Sequence, residues 1–160
     1  LVKSSTVIKN VLNACLADMN LFSAVFGIFG TERKAKAAEI LERVGMAEKI
    51  NQPADSLSGG EQQRTAIARA IMQGGNILLA DEPVASLDPA NAEDVLELMK
   101  SLQKEKNITV IMNSHNIEQA VKYSDWIIGL NSGRIIYEGK PENLTAEIKE
   151  DIYRRDNSNG

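Results

Sequence analysis

The chain opens on an apolar stripe at helical spacing. Val7, Ile8, Val11, Leu12, Cys15 and Leu16 share one face within "TVIKNVLNACLA", residues 6–17, and Ser5 or Thr6 stands where an N-cap belongs. The next stretch, "NLFSAVFGIFG", carries Phe22, Phe26 and Phe29, all the phenylalanines of the sequence, interrupted by two glycines. Helical periodicity returns over residues 31–44, with Thr31 as cap and Gly45 as the stop. "NQPAD" reads as a loop. A further helix is predicted from about Glu61 to Gln73, with Ala66, Ile67, Ala70 and Ile71 inward.

After Gly74 and Gly75 the texture changes. "NILLA" is short and wholly apolar, the pattern of a strand buried on both faces. A helix is predicted near residues 91–104, then a strand, "ITVIMN", a helix near 117–123 and a strand, "WIIGL". The turn "NSGR" leads into "IIYEG", which makes a hairpin. Strand alternating with helix predicts a parallel sheet. The expected fold is therefore α/β, with an α-helical subdomain over residues 1–72 ahead of sheet and helices over 73–160. The tail "RRDNSNG" is predicted to be loose.

Composition narrows the function classes. The 160 residues are 43% hydrophobic and 25% charged, enough for a real core. A net charge of −4 argues against a general nucleic-acid surface, which needs a basic stripe. Cys15 is the only cysteine, so no intrachain disulfide forms, and it reads as a small buried hydrophobe. No apolar run approaches the roughly 18 residues that span a bilayer, and the first ten residues are no secretory signal. The chain does not begin with methionine, so Leu1 is expected to be a cut end.

The chemistry concentrates in four places. "SLSGGEQQR", Ser56 to Arg64, puts glycines where a helix should begin. Glycine costs backbone entropy there, and its usual compensation is bare N–H groups offered to an anion. "ILLADEP" is an apolar strand ending in Asp81 and Glu82, where sheet ligands bind. One carboxylate can serve Mg²⁺ while the next faces a reacting water, although a bare Asp-Glu is equally a helix cap. "SLDP", Ser86 to Pro89, is by itself a turn or N-cap. His115, the only histidine, follows "ITVIMNS" and is expected on the same rim as Glu82, as a structural or a catalytic residue.

Taken in order, "LSGGEQQR", "ILLADEP", "SLD" and the later histidine closely resemble the signature, Walker B motif, D-loop and switch histidine of ABC-type ATPases. The resemblance covers nearly the whole chain. "ADEPVASLDP" and "FSAVFGIFG" look most like ATP-binding subunits of phosphonate-type importers. Glu61 departs from the signature's commoner glutamine, and Asn116 from a frequent aspartate. The resemblance implies a P-loop NTPase-like sheet. It also implies that Ser58, Gly59 and Gly60, with Glu61 beside them, contact the γ-phosphate of ATP held by a second subunit. Glu82 would be the general base, His115 would touch the γ-phosphate, Asp81 would serve Mg²⁺, and Asp88 would communicate across the dimer.

No G-x-x-x-x-G-K-[ST] loop occurs in the sequence; its only Gly-Lys, Gly139-Lys140, runs into Pro141. The chain therefore resembles the back portion of such an ATPase, an incomplete fold, and by itself is expected not to hydrolyse ATP. The implied whole is an importer subunit at the cytoplasmic face of the membrane. Its implied cofactors are ATP and Mg²⁺, and its implied partners a second ATPase subunit and a transmembrane permease, with no nucleic acid. A soluble ABC ATPase acting on DNA or ribosomes is the alternative; its usual heptad coiled coils and basic charge are not seen here.

Overall fold

The computed structural model describes residues 1–154; the rest of the tail predicted to be loose lies outside them. The chain forms two compact units, Leu1–Met112 and Asn113–Gly160.

The first unit begins with α1, Val7–Leu12, capped by the Thr6 side chain. The predicted single helix to residue 17 is instead an α-helix continued by a 3₁₀ helix, Asn13–Asp18. At three residues per turn Cys15 sits beneath Leu12 and stays buried, while Leu16 rotates out to partial exposure. A short α2, Leu21–Phe26, ends at Gly27. Helix α3, Thr31–Arg43, has Gly30 rather than Thr31 at its N-cap, so Thr31 is the first helical residue. Gly45 follows in the left-handed region at φ +72°, the conformation that stops a helix.

Helix α4, Gly59–Gln73, runs between two apolar clusters. Ala68 and Met72 pack with Val7, Val11, Leu41 and Val44 of the α1–α3 region. Ile67 faces Val95, Met99 and Leu102 of α5, Pro89–Lys106. This two-sided packing bears out Ile67, which is buried, and Ile71, which packs against both clusters, but adjusts the rest of the predicted inward set. Ala66 and Ala70 are only partly buried, while Thr65, Ala68 and Met72 lie deepest.

Strands β1, Ile77–Ala80, and β2, Thr109–Met112, pair in parallel with Ile77 opposite Thr109 and Ala80 opposite Met112; α5 makes the crossover between them. Their burial differs from expectation. Leu78, Ala80 and Val110 pack toward α5, but Ile77, Leu79 and Ile111 are 62%, 73% and 55% exposed. Helices cover one face of this two-stranded sheet, and among the described residues of the unit nothing covers the other.

The second unit holds α6, Ile117–Tyr123, then the antiparallel hairpin β3, Ile127–Asn131, and β4, Arg134–Gly139, and finally α7, Ala146–Tyr153. Ser132 and Gly133 take φ +49° and +75°, the two positive angles of a type I′ turn. Helix α7 lies close on β3: a Cβ on Gly129 would stand 2.6 Å from Ile152 Cδ1. Asn131 fixes the helix end by donating from Nδ2 to the carbonyls of Asp151 at 2.7 Å and Arg154 at 2.8 Å. No helix among the described residues is long and apolar enough to cross a membrane.

Candidate functional site

Ser58 is the N-cap of α4, and its hydroxyl accepts from the Glu61 amide at 3.4 Å. Glu61 answers by accepting from the Ser58 amide at 2.9 Å, which completes a capping box. The other Glu61 oxygen takes the Lys49 ammonium. That bond, reinforced by the Ser58 amide, holds the Glu61 carboxyl below its ordinary range. Both oxygens of Glu61 thus anchor the first turn and tie it to the Ala47–Lys49 turn behind it. Farther along the helix, Arg64 reaches the Val44 carbonyl and the Asp94 carboxylate, joining α4 to the end of α3 and to α5.

The glycines have a steric reason beyond access to their amides. A Cβ on Gly59 would meet Leu87 Cδ2 at 3.1 Å, and one on Gly60 would meet Asn91 Oδ1 at 3.0 Å. Neither glycine has a positive φ. They are small because the Leu87–Asn91 segment lies against them. That segment opens α5: Asp88 is its N-cap and Pro89 its first residue. Asp88 accepts from the Asn91 side chain at 2.6 Å and from the Asn91 amide at 3.2 Å. The side-chain bond first, then the amide, holds the Asp88 carboxyl below its ordinary range.

Ser58, Gly59, Gly60, Glu61 and Asp88 are therefore brought together, with Asn91 as the bridge. Asp81 and Glu82 leave the carboxyl end of β1, both exposed, on the turn that leads to Asp88. Glu82 sits at φ +42°, with its carbonyl accepting from the Ala85 amide at 3.2 Å. A non-glycine residue held there is uncommon, and such residues concentrate at functional sites. His115 belongs to the second unit, exposed in the loop before α6. Ser114 Oγ accepts from the Asn116 amide at 3.1 Å, and Asn116 caps α6 by accepting from Gln119.

Sequence reasoning passed over Lys49 and Asn91. Asn91 had a signal: in "DPAN" an Asx N-cap is followed three residues later by a side chain able to return a hydrogen bond. Lys49 is twelve residues from Glu61 across an irregular turn, and no periodic pattern links them.

The start of α4 packed on the Leu87–Asn91 turn, beside a parallel strand ending in Asp-Glu, agrees with the resemblance to the nucleotide-binding domains of ABC ATPases. An ATP-binding cassette of an ABC transporter in its ADP conformation superposes with a TM-score of 0.78 at 29% identity, over 94% of this chain and 60% of that one. A dimeric ATP-binding cassette in a post-hydrolysis state, bound to ADP and Pi, gives 0.70 at 33% identity, over 88% and 59%. The chain belongs to the ABC transporter family, whose sequence model matches residues 1–85. Among curated relatives, the phosphonates import ATP-binding protein PhnC of Lactococcus lactis subsp. cremoris is 44% identical over 98% of this chain. That of Mesoplasma florum is 47% identical over 95%. The chain spans about three-fifths of the length of these relatives, 63% and 61%.

Proposed function

We propose that these residues form the signature side of an ATP-hydrolysing importer subunit, which closes on ATP held by a second copy. The observation that carries this reading is the close packing of Gly59 and Gly60 on Leu87 and Asn91. It makes the N-terminus of α4 and the Asp88 turn one continuous surface, open to a partner at Ser58 and Asp88, both exposed. Residues 1–72 are then the helical subdomain and 73–160 the later part of the core.

In this reading Ser58 Oγ and the first amides of α4 meet the γ-phosphate across the dimer, where the helix dipole favours negative charge. Glu82, held at its positive φ, accepts a proton from the attacking water, and His115 donates to the γ-phosphate. Asp88 meets the opposite subunit. Asp81, an exposed carboxylate at the end of β1, would serve Mg²⁺, which binds phosphate sites through one or two carboxylates and the phosphate oxygens. When bound, Mg²⁺ supplies charge neutralisation on the phosphates. The phosphonates import named for the relatives supports a phosphonate or related oxyanion as the solute in this reading, and a subunit of that kind would sit at the cytoplasmic face of the membrane.

The permease is assigned to α2. Leu21, Phe22, Val25 and Phe26 are all exposed there, with the Phe22 and Phe26 rings 4.7 Å apart. Phe29, by contrast, packs against the first core, which divides the phenylalanine segment between docking and packing. An apolar patch of this kind marks a partner surface.

The test uses the full-length protein as its gene encodes it. Glu82→Gln keeps the side chain's shape and removes the base, so ATP binding persists and turnover nearly stops. In that background ATP drives dimerisation, visible by light scattering. Adding Ser58→Arg fills the space the γ-phosphate needs and blocks the dimer while each subunit still binds its own ATP. Unchanged dimer formation would reduce Ser58 to a helix cap.

A further inference from the structure

We propose that Tyr153, at the end of α7, is a positioning residue for His115. Its phenol donates to the His115 carbonyl at 2.6 Å and accepts from the Ile117 amide at 3.2 Å. One hydroxyl therefore spans the backbone on both sides of Asn116, from the histidine to the first residue of α6. The Ile117 amide is among the first four N–H groups of its helix, which have no partner within it. The phenol supplies that partner from 36 residues away.

The tyrosine is itself held firmly. Asn131 clamps the end of α7 by its bonds to Asp151 and Arg154 carbonyls on either side of Tyr153. Ile152, next to it, seats in the space left by Gly129. The local bonds of the loop, from Ser114 and Asn116, fix its later half and the start of α6. The bond to the His115 carbonyl comes from Tyr153. A side chain that must meet a phosphate within a few tenths of an ångström depends on the backbone that carries it, and rigid support of this kind is what such sites require. Tyr153 touches no reacting atom; it acts through the direction in which His115 leaves the chain.

This inference rests on the reading that His115 takes part in turnover, and the experiment separates the two. In the full-length protein Tyr153→Phe removes the hydroxyl and keeps the ring. It is expected to lower kcat about ten-fold, the loss of one hydrogen bond converted to a rate. The KM for ATP and the melting temperature stay near those of the unchanged protein. His115→Ala lowers kcat at least as far, and the double variant falls no further than His115→Ala alone. Amide exchange at Ile117, slow in the unchanged protein, speeds up in Tyr153→Phe. If His115→Ala is impaired while Tyr153→Phe turns over normally, the positioning role is wrong and the role of His115 stands. If His115→Ala itself turns over normally, the reading of His115 fails and the inference falls with it. Losses that multiply in the double variant, or an Ile117 amide that exchanges freely in the unchanged protein, also overturn it.

Discussion

Asn10 is fully buried in the first unit, and its amide is spent on the chain that precedes it. Oδ1 accepts from the Val2 amide at 2.7 Å, and Nδ2 donates to the carbonyls of Val2, Ser5 and Thr6. The side chain folds the first residues back over α1. Asn10→Ala strands the groups around Val2 and Ser5, so urea unfolding should show a loss of about 1–3 kcal/mol. Glu61 makes a different prediction. Its carboxyl is held below the ordinary 4.5 by Lys49 and the Ser58 amide. A depressed folded pKa gives stability that is complete above the unfolded value and is lost as pH falls through the folded one. Melting temperature followed from pH 7 toward acid should therefore drop more steeply for the natural chain than for Glu61→Gln. Parallel curves would show that the Lys49–Glu61 pair carries no linkage.

At the scale of elements, the contact between the starts of α4 and α5 is set by a missing Cβ. An alanine at Gly60 gains helix propensity, but its methyl would stand 3.0 Å from Asn91 Oδ1, and Asn91 yields only by loosening its bond to Asp88. Gly60→Ala is expected to destabilise the natural chain by about 1 kcal/mol and to stabilise an Asn91→Ala background by a similar amount. A thermal-denaturation cycle reads the change of sign; the same sign in both backgrounds would dismiss the steric account. In the hairpin, Ser132 occupies the first position of a type I′ turn at φ +49°, which asparagine and glycine tolerate better than serine. Ser132→Asn should therefore raise the melting temperature.

At the scale of the molecule, much of the element order was written in the sequence, but the helices α2 and α7 were not among those predicted. The parallel pair, its crossover helix, the hairpin at "NSGR" and the stop at Gly45 follow from periodicity and turn chemistry. So did the placing of Asp81 and Glu82 at a strand end. What could not be read were relations between distant residues. Periodicity counts one apolar face per helix, and α4 has two. An apolar run such as "NILLA" reports that a strand expects cover, not whether cover is present. The partners of Glu61 and the carbonyl of His115, Lys49 and Tyr153, are set by tertiary contact alone. The phenylalanine segment shows the same divide. Phe26 is 66% exposed, so Phe26→Ala should leave melting unchanged and reduce solute uptake by the assembled transporter. A loss near the roughly 3–5 kcal/mol of a buried Phe→Ala would place it in the core instead.

The uncovered side of the β1–β2 pair also sets how these 160 residues behave in a tube. Ile77, Leu79 and Ile111 form a flat oily strip on short extended chain, the kind of surface on which protein molecules stick to one another. Purified alone, the chain should scatter more light as it is concentrated and should brighten a dye such as ANS. Leu79→Lys, facing outward from the same strand, should weaken both signals and raise the concentration at which the solution clouds.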